Sequence, residues 1–84
     1  IMRWPGRIPA GRVSQQVGIT MDLTATILSV ANATVPDSTR LEGVNLLPLL
    51  TGESPAPERT LFWRTDAGGR TQAAARKGDW KLLV

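Results

Sequence analysis

Eighty-four residues make at most one small domain, in the size range where burial of a core is marginal. Hydrophobic residues make up 42% of the chain, which excludes disorder throughout, and three Trp, one Phe and no Tyr leave the core mainly to Leu, Ile, Val and Ala. The formal charge is +3 with no Cys and no His, so disulfides, thiol nucleophiles, thiolate metal ligands and a histidine general base are all excluded.

The cations, eight Arg and two Lys, are spread along the sequence without a run of five, which reads as solvated surface charge. Nucleic acid is therefore not an expected partner. The seven acidic residues are scattered and read as caps, turns and surface charges. No apolar run approaches the roughly 18 residues of a membrane span, and no membrane partner is expected. The opening Ile1-Met2-Arg3-Trp4-Pro5 lacks the long apolar region of a signal peptide, so no compartment is indicated.

In chain order, Ile1–Trp4 reads as the end of a strand already under way, an expectation that the chain is cut from a longer one. Pro5-Gly6 stops it, and residues 5–12 read as loop. Residues 20–33 predict a helix, with Leu23, Ile27, Val30 and Ala31 at helical spacing and Met21 and Leu28 widening the stripe. Thr20 is the expected N-cap, and Asp22 falls in the first turn, where the helix dipole favours an anion. Asn32 suits the left-handed residue that closes the helix. Thr24, Thr26, Ile27 and Val30 are β-branched, so this helix depends on tertiary packing.

Residues 34–60 predict a connector. Within it a short helical turn at 46–50 is capped by Asn45 and closed by Gly52, its four leucines plugging a core. Glu53–Glu58, with Pro55 and Pro57, reads as a linker.

Residues 61–84 switch to strand signals, with Leu61–Thr65, Gln72–Lys77 and Trp80–Val84 as three antiparallel strands. A two-residue loop at Gly78-Asp79 sets Arg76 opposite Lys81, a like-charge pair, and puts Trp80, Leu82 and Val84 on one face with Ala73 and Ala75. A three-residue loop of Lys77, Gly78 and Asp79 pairs Arg76 with Trp80 instead, and on electrostatic grounds it is the preferred register.

Four patches carry a resemblance. They are Arg3-Trp4-Pro5-Gly6 with Ile8 and Gly11; Met21-Asp22-Leu23-Thr24-Ala25-Thr26-Ile27-Leu28; Leu41-Glu42-Gly43-Val44-Asn45-Leu46-Leu47-Pro48-Leu49-Leu50-Thr51-Gly52; and Ala75-Arg76-Lys77-Gly78-Asp79-Trp80-Lys81-Leu82. In order and spacing they resemble the C-terminal part of the sulfatase family, arylsulfatase type. Ala25 stands where the family often has Pro, and Asn32 where it often has Gly.

The resemblance implies a parent enzyme that hydrolyses sulfate esters through a formylglycine nucleophile and a divalent cation, usually calcium. It also implies that this chain lacks that machinery. No C/S-x-P-x-R motif occurs, since Ser54-Pro55-Ala56-Pro57 places proline one position early. By the resemblance, Asp22, Asp66, Asp79, Lys77 and Lys81 do not inherit metal or sulfate roles. No catalytic, cofactor-binding or metal residue is assigned, and no activity is expected of the chain alone.

Trp63 and Arg64 are the candidate residues for the rim of a substrate cleft, weighed against ordinary strand packing with an extended Arg. Trp80 is expected in the core. Asn32-Ala33-Thr34 matches a glycosylation sequon, a common chance match.

The expected fold class is α+β: one amphipathic helix and a short Leu-rich turn packed on a small antiparallel sheet of about three strands. The resemblance makes it a fragment of the alkaline-phosphatase-like sulfatase fold. The expected role is structural and cleft-lining. The expected partners are the missing N-terminal catalytic core and other copies of the chain, through unpaired edges. The alternative is a stand-alone module that binds anions, such as sulfated glycans or nucleic acid, or that self-assembles.

Overall fold

A computed structural model describes residues 1–55 and 57–84. Ala56, in the middle of the expected linker, lies outside the described residues. Helix α1 spans Thr20–Val30 and a one-turn helix α2 spans Leu47–Leu50. Strands β1 (Thr60–Ala67), β2 (Arg70–Lys77) and β3 (Trp80–Leu83) form an antiparallel sheet in the order β1-β2-β3. The chain is thus α+β.

Residues 1–4 form no strand. A strand exists through its cross-strand hydrogen bonds, and none of the described residues pairs with this segment. The chain turns instead at Pro5-Gly6, with Arg7 and Ile8 amides donating to the Trp4 carbonyl at 3.0 and 2.9 Å. The Arg7 guanidinium lies 5.3 Å from the centre of the Trp4 ring.

Helix α1 starts one residue away from the expected cap. Ile19, not Thr20, is the N-cap, with extended backbone at φ −132° and ψ 158°. Its side chain has no acceptor, so the Asp22 amide closes on the Ile19 carbonyl at 2.9 Å. The helix ends at Val30, short of the expected residue 33. Asn32 adopts φ 52°, as its αL tolerance predicts. Asn32 then donates to Ser29 O at 3.1 Å and Ala33 to Leu28 O at 3.0 Å, the paired bonds of a Schellman stop.

Both hairpins have two-residue loops, and glycine makes each possible. Gly68 and Gly69, at φ 59° and 74°, supply the two positive angles of a type I′ turn between Ala67 and Arg70. In the second loop only Gly78 is positive, at φ 55°, which fits a type II′ turn. Lys77 therefore pairs with Trp80 and Arg76 with Lys81, so the preferred three-residue register is overturned. Turn geometry outweighs the like-charge cost, which is about 0.2–1 kcal/mol for a cross-strand pair.

The buried interior is small: Ala25, Leu46 and Leu61 among apolar residues, and Asp22 among polar ones. Neither helix makes more than marginal contact with the sheet, so the expected packing of helices on strands is not formed. Trp80, expected in the core, is 85% exposed. It shares a face with Phe62, Leu82 and Val84, all exposed, because the register places Phe62, Ala75 and Leu82 in one row. The small Ala73 and Ala75 leave nothing on that face large enough to cover them. No helix among the described residues is long and apolar enough to cross a membrane.

Candidate functional site

The least exposed of the described residues is a carboxylate. Asp22 is 0% exposed, a state that costs several kcal/mol unless the charge is fully partnered. Its partners come from three separate stretches of sequence. Oδ2 accepts the Ile19 amide at 2.8 Å and Arg59 Nη1 at 2.8 Å; Oδ1 accepts the Val44 amide at 2.9 Å and Arg59 Nη2 at 2.9 Å. The guanidinium thus grips the carboxylate through two parallel bonds, the arrangement with the strongest geometric preference.

Burial pushes the Asp22 carboxyl up. The Arg59 bonds and the Ile19 and Val44 amides outweigh that effect and hold it below the usual carboxylate range. The helix-dipole position expected for Asp22 is correct but incomplete, since the residue also fastens the connector and the start of β1.

Thr26 adds a second rung. Its hydroxyl donates to Asp22 O at 2.7 Å and accepts the Leu46 amide at 2.9 Å. One turn further, Asn45 Nδ2 donates to Ser29 Oγ at 2.9 Å, while Asn45 Oδ1 caps the Leu47 amide at 3.0 Å. Residues 43–46 therefore run alongside α1, with the Val44 and Leu46 amides satisfied by its polar side chains. Gly43 permits this approach: a Cβ there would fall 2.1 Å from the Met21 carbonyl oxygen.

These partners were not legible as a site. Arg59 stands in the expected connector with no pattern around it, and Thr26 reads only as a poor helix former. The one available signal was Gly43 between Glu42 and Val44, since a glycine inside a connector marks a turn or a close backbone approach.

The two candidate rim residues are not brought together. Trp63 and Arg64 are neighbours on β1 and so point to opposite faces. Arg64 Nε pairs with Asp66 at 3.2 Å, and Asp66 in turn accepts the Thr71 hydroxyl across the hairpin. Trp63 lies on the other face, in a row with Ala74 and Leu83.

The residues present do not fit the divalent cation that the resemblance implies. Among the described residues Asp22 is the one buried carboxylate, and each of its oxygens is taken by two N–H donors, which leaves no lone pair aimed at a metal. The arrangement is a clamp, and its chemistry is that of a fixed ion pair.

No family model matches the chain. Curated proteins do. It is 41% identical over 78 residues to N-acetylgalactosamine-6-sulfatase of Canis lupus familiaris and 40% identical over 78 residues to that of Homo sapiens; each match covers 93% of this chain and 14% of the relative. It is 36% identical over 80 residues to arylsulfatase A of Bos taurus, covering 93% of this chain and 15% of that protein. The chain therefore spans about a seventh of the length of these relatives.

Proposed function

This chain belongs to the sulfatase family, and from that premise we propose that it is a C-terminal structural segment of an enzyme that hydrolyses sulfate esters. In this reading the nucleophile, the divalent cation and the proton-transfer groups are carried by polypeptide outside the segment. The segment supplies scaffold and part of the cleft rim, and alone it turns nothing over. Its parent acts on a sulfate ester of the kind named in its relatives, either a sulfated amino sugar or an aryl sulfate.

One observation carries the proposal. Among the described residues the only fully buried side chain is a clamped carboxylate, while Ile27, Phe62, Trp80, Leu82, Leu83 and Val84 stand exposed. A segment with so little interior of its own fits a role inside a larger body, where those apolar residues lose water against neighbours. The partner is the catalytic part of the same enzyme, and in its absence the chain self-associates through the exposed sheet face.

The test is a turnover assay with a chromogenic aryl sulfate and a 6-sulfated amino sugar, using the purified chain. No hydrolysis above the buffer rate is expected, with or without added calcium. Turnover that co-purifies with the chain and survives further fractionation would overturn the proposal.

A further inference from the structure

The register chosen by the second hairpin leaves an unresolved feature. Arg76 and Lys81 are cross-strand partners, and the Ala73–Val84 pair three steps further exchanges both backbone bonds, at 3.2 and 2.9 Å. Alternation along the ladder then makes Ala75–Leu82 and Lys77–Trp80 hydrogen-bonded pairs and Arg76–Lys81 a non-hydrogen-bonded one. That is the closer of the two kinds, with Cα atoms about 4.5 Å apart. Two cations therefore stand side by side on one face of the sheet.

Arg59, Arg64 and Lys77 each have a carboxylate partner, but among the described residues neither Arg76 nor Lys81 forms an ion pair. Arg76 is half-buried and its Nε donates to Gly78 O at 3.0 Å, which fixes the guanidinium while leaving its terminal nitrogens for other acceptors. The indole of Trp63 is on the same face, one row along, beside the small Ala74. Asp79, at the hairpin tip, pairs with neither cation.

We propose that Arg76, Lys81 and Trp63 form a binding site for the sulfate group and ring of a sulfated carbohydrate. The paired cations attract a sulfate ester's negative charge and offer donors to its several acceptor oxygens. The indole offers an apolar platform with a polar edge for the sugar ring. The inference rests on the sulfatase reading for its choice of anion, and it moves the candidate rim contact from Arg64, which faces away, to Arg76 and Lys81.

The experiment is an NMR titration of the isotopically labelled chain with a monosulfated hexose, the unsulfated hexose, inorganic sulfate and acetate. The sulfated hexose is expected to shift the Trp63 indole and the Arg76 and Lys81 amides, with affinity falling as salt rises. Arg76→Gln with Lys81→Gln should weaken binding at least about tenfold, the loss of one charge-assisted hydrogen bond. Lys77→Gln, on the opposite face, should change it less than about twofold by the same measure. Circular dichroism is expected to show the double variant folded, since it removes a like-charge pair.

No shift at these residues, equal weakening by Lys77→Gln, or equal binding of acetate and sulfated hexose would each overturn the site. So would indifference to Trp63→Leu combined with equal affinity for inorganic sulfate. None of these outcomes bears on turnover, so failure here is distinct from failure of the structural-segment proposal.

Discussion

In the helical half, one carboxylate draws together groups from residues 19, 44 and 59, whereas the sheet is built from neighbours along the chain. Contacts at long sequence separation hold the first half and give it a single arrangement. Two glycine turns and short-range pairing hold the second, which leaves its faces largely open. The halves meet near Arg59 and the buried Leu61, at the very start of β1. A chain of this kind has local order in one part and depends on a single polar junction in the other.

The sharpest way to break that contrast is at the clamp. Asp22→Asn leaves Arg59 without its charge partner in a nearly water-free site and should cost about 3–5 kcal/mol. That is a large share of the stability expected for a chain this short, about 0.05–0.15 kcal/mol per residue. Urea unfolding followed by Trp fluorescence measures it. Because Asp22 is held below the usual carboxylate range, its contribution is present above the unfolded-state pKa and is lost as pH falls through the folded-state pKa. The urea midpoint of the parent chain should therefore be level near neutrality and drop below about pH 4. The Asp22→Asn variant should show a shallower drop.

Gly43→Ala attacks the same junction sterically. A methyl group meeting the Met21 carbonyl and the Asp22 amide forces backbone to move, at about 2–3 kcal/mol. The matching change in the sheet, Gly69→Ala at φ 74°, should cost less, about 1–2 kcal/mol, because its Cβ meets no atom and only the left-handed backbone is penalised. Equal losses for the two, by the same urea assay, would erase the distinction between a tertiary junction and a local turn. The smallest effect on stability is expected from Phe62→Lys on the open face, within about 0.5 kcal/mol. That variant should instead lower self-association, seen by light scattering as a smaller mean mass at high concentration.

The difference between the halves also explains what could be read in advance. The three strands and the helix stop at Asn32 were legible because each depends on a few adjacent residues with restricted backbone angles, whereas the two-residue length of the second hairpin loop was not. Asp22 was legible as a first-turn anion, from the helix pattern alone. Its bond to Arg59 was not, since 37 residues of sequence separate the two and no periodicity links them. The N-cap was misplaced for a related reason. Thr20 has the better capping side chain, but the Asp22 carboxylate takes the Ile19 amide and moves the helix start accordingly. Trp63 and Arg64, adjacent in sequence, looked like one contact; strand alternation put them on two faces.

By itself, then, the sequence determined the α+β order of elements, the chain's family, and the two hairpins' positions, since turn chemistry, hydrophobic period and motif spacing are all properties of short stretches. Tertiary structure alone decided the clamp on Asp22 and the exposure of Trp80. Those depend on which distant groups arrive to satisfy a buried charge or cover an apolar face, and solvation energies of that kind are settled in space.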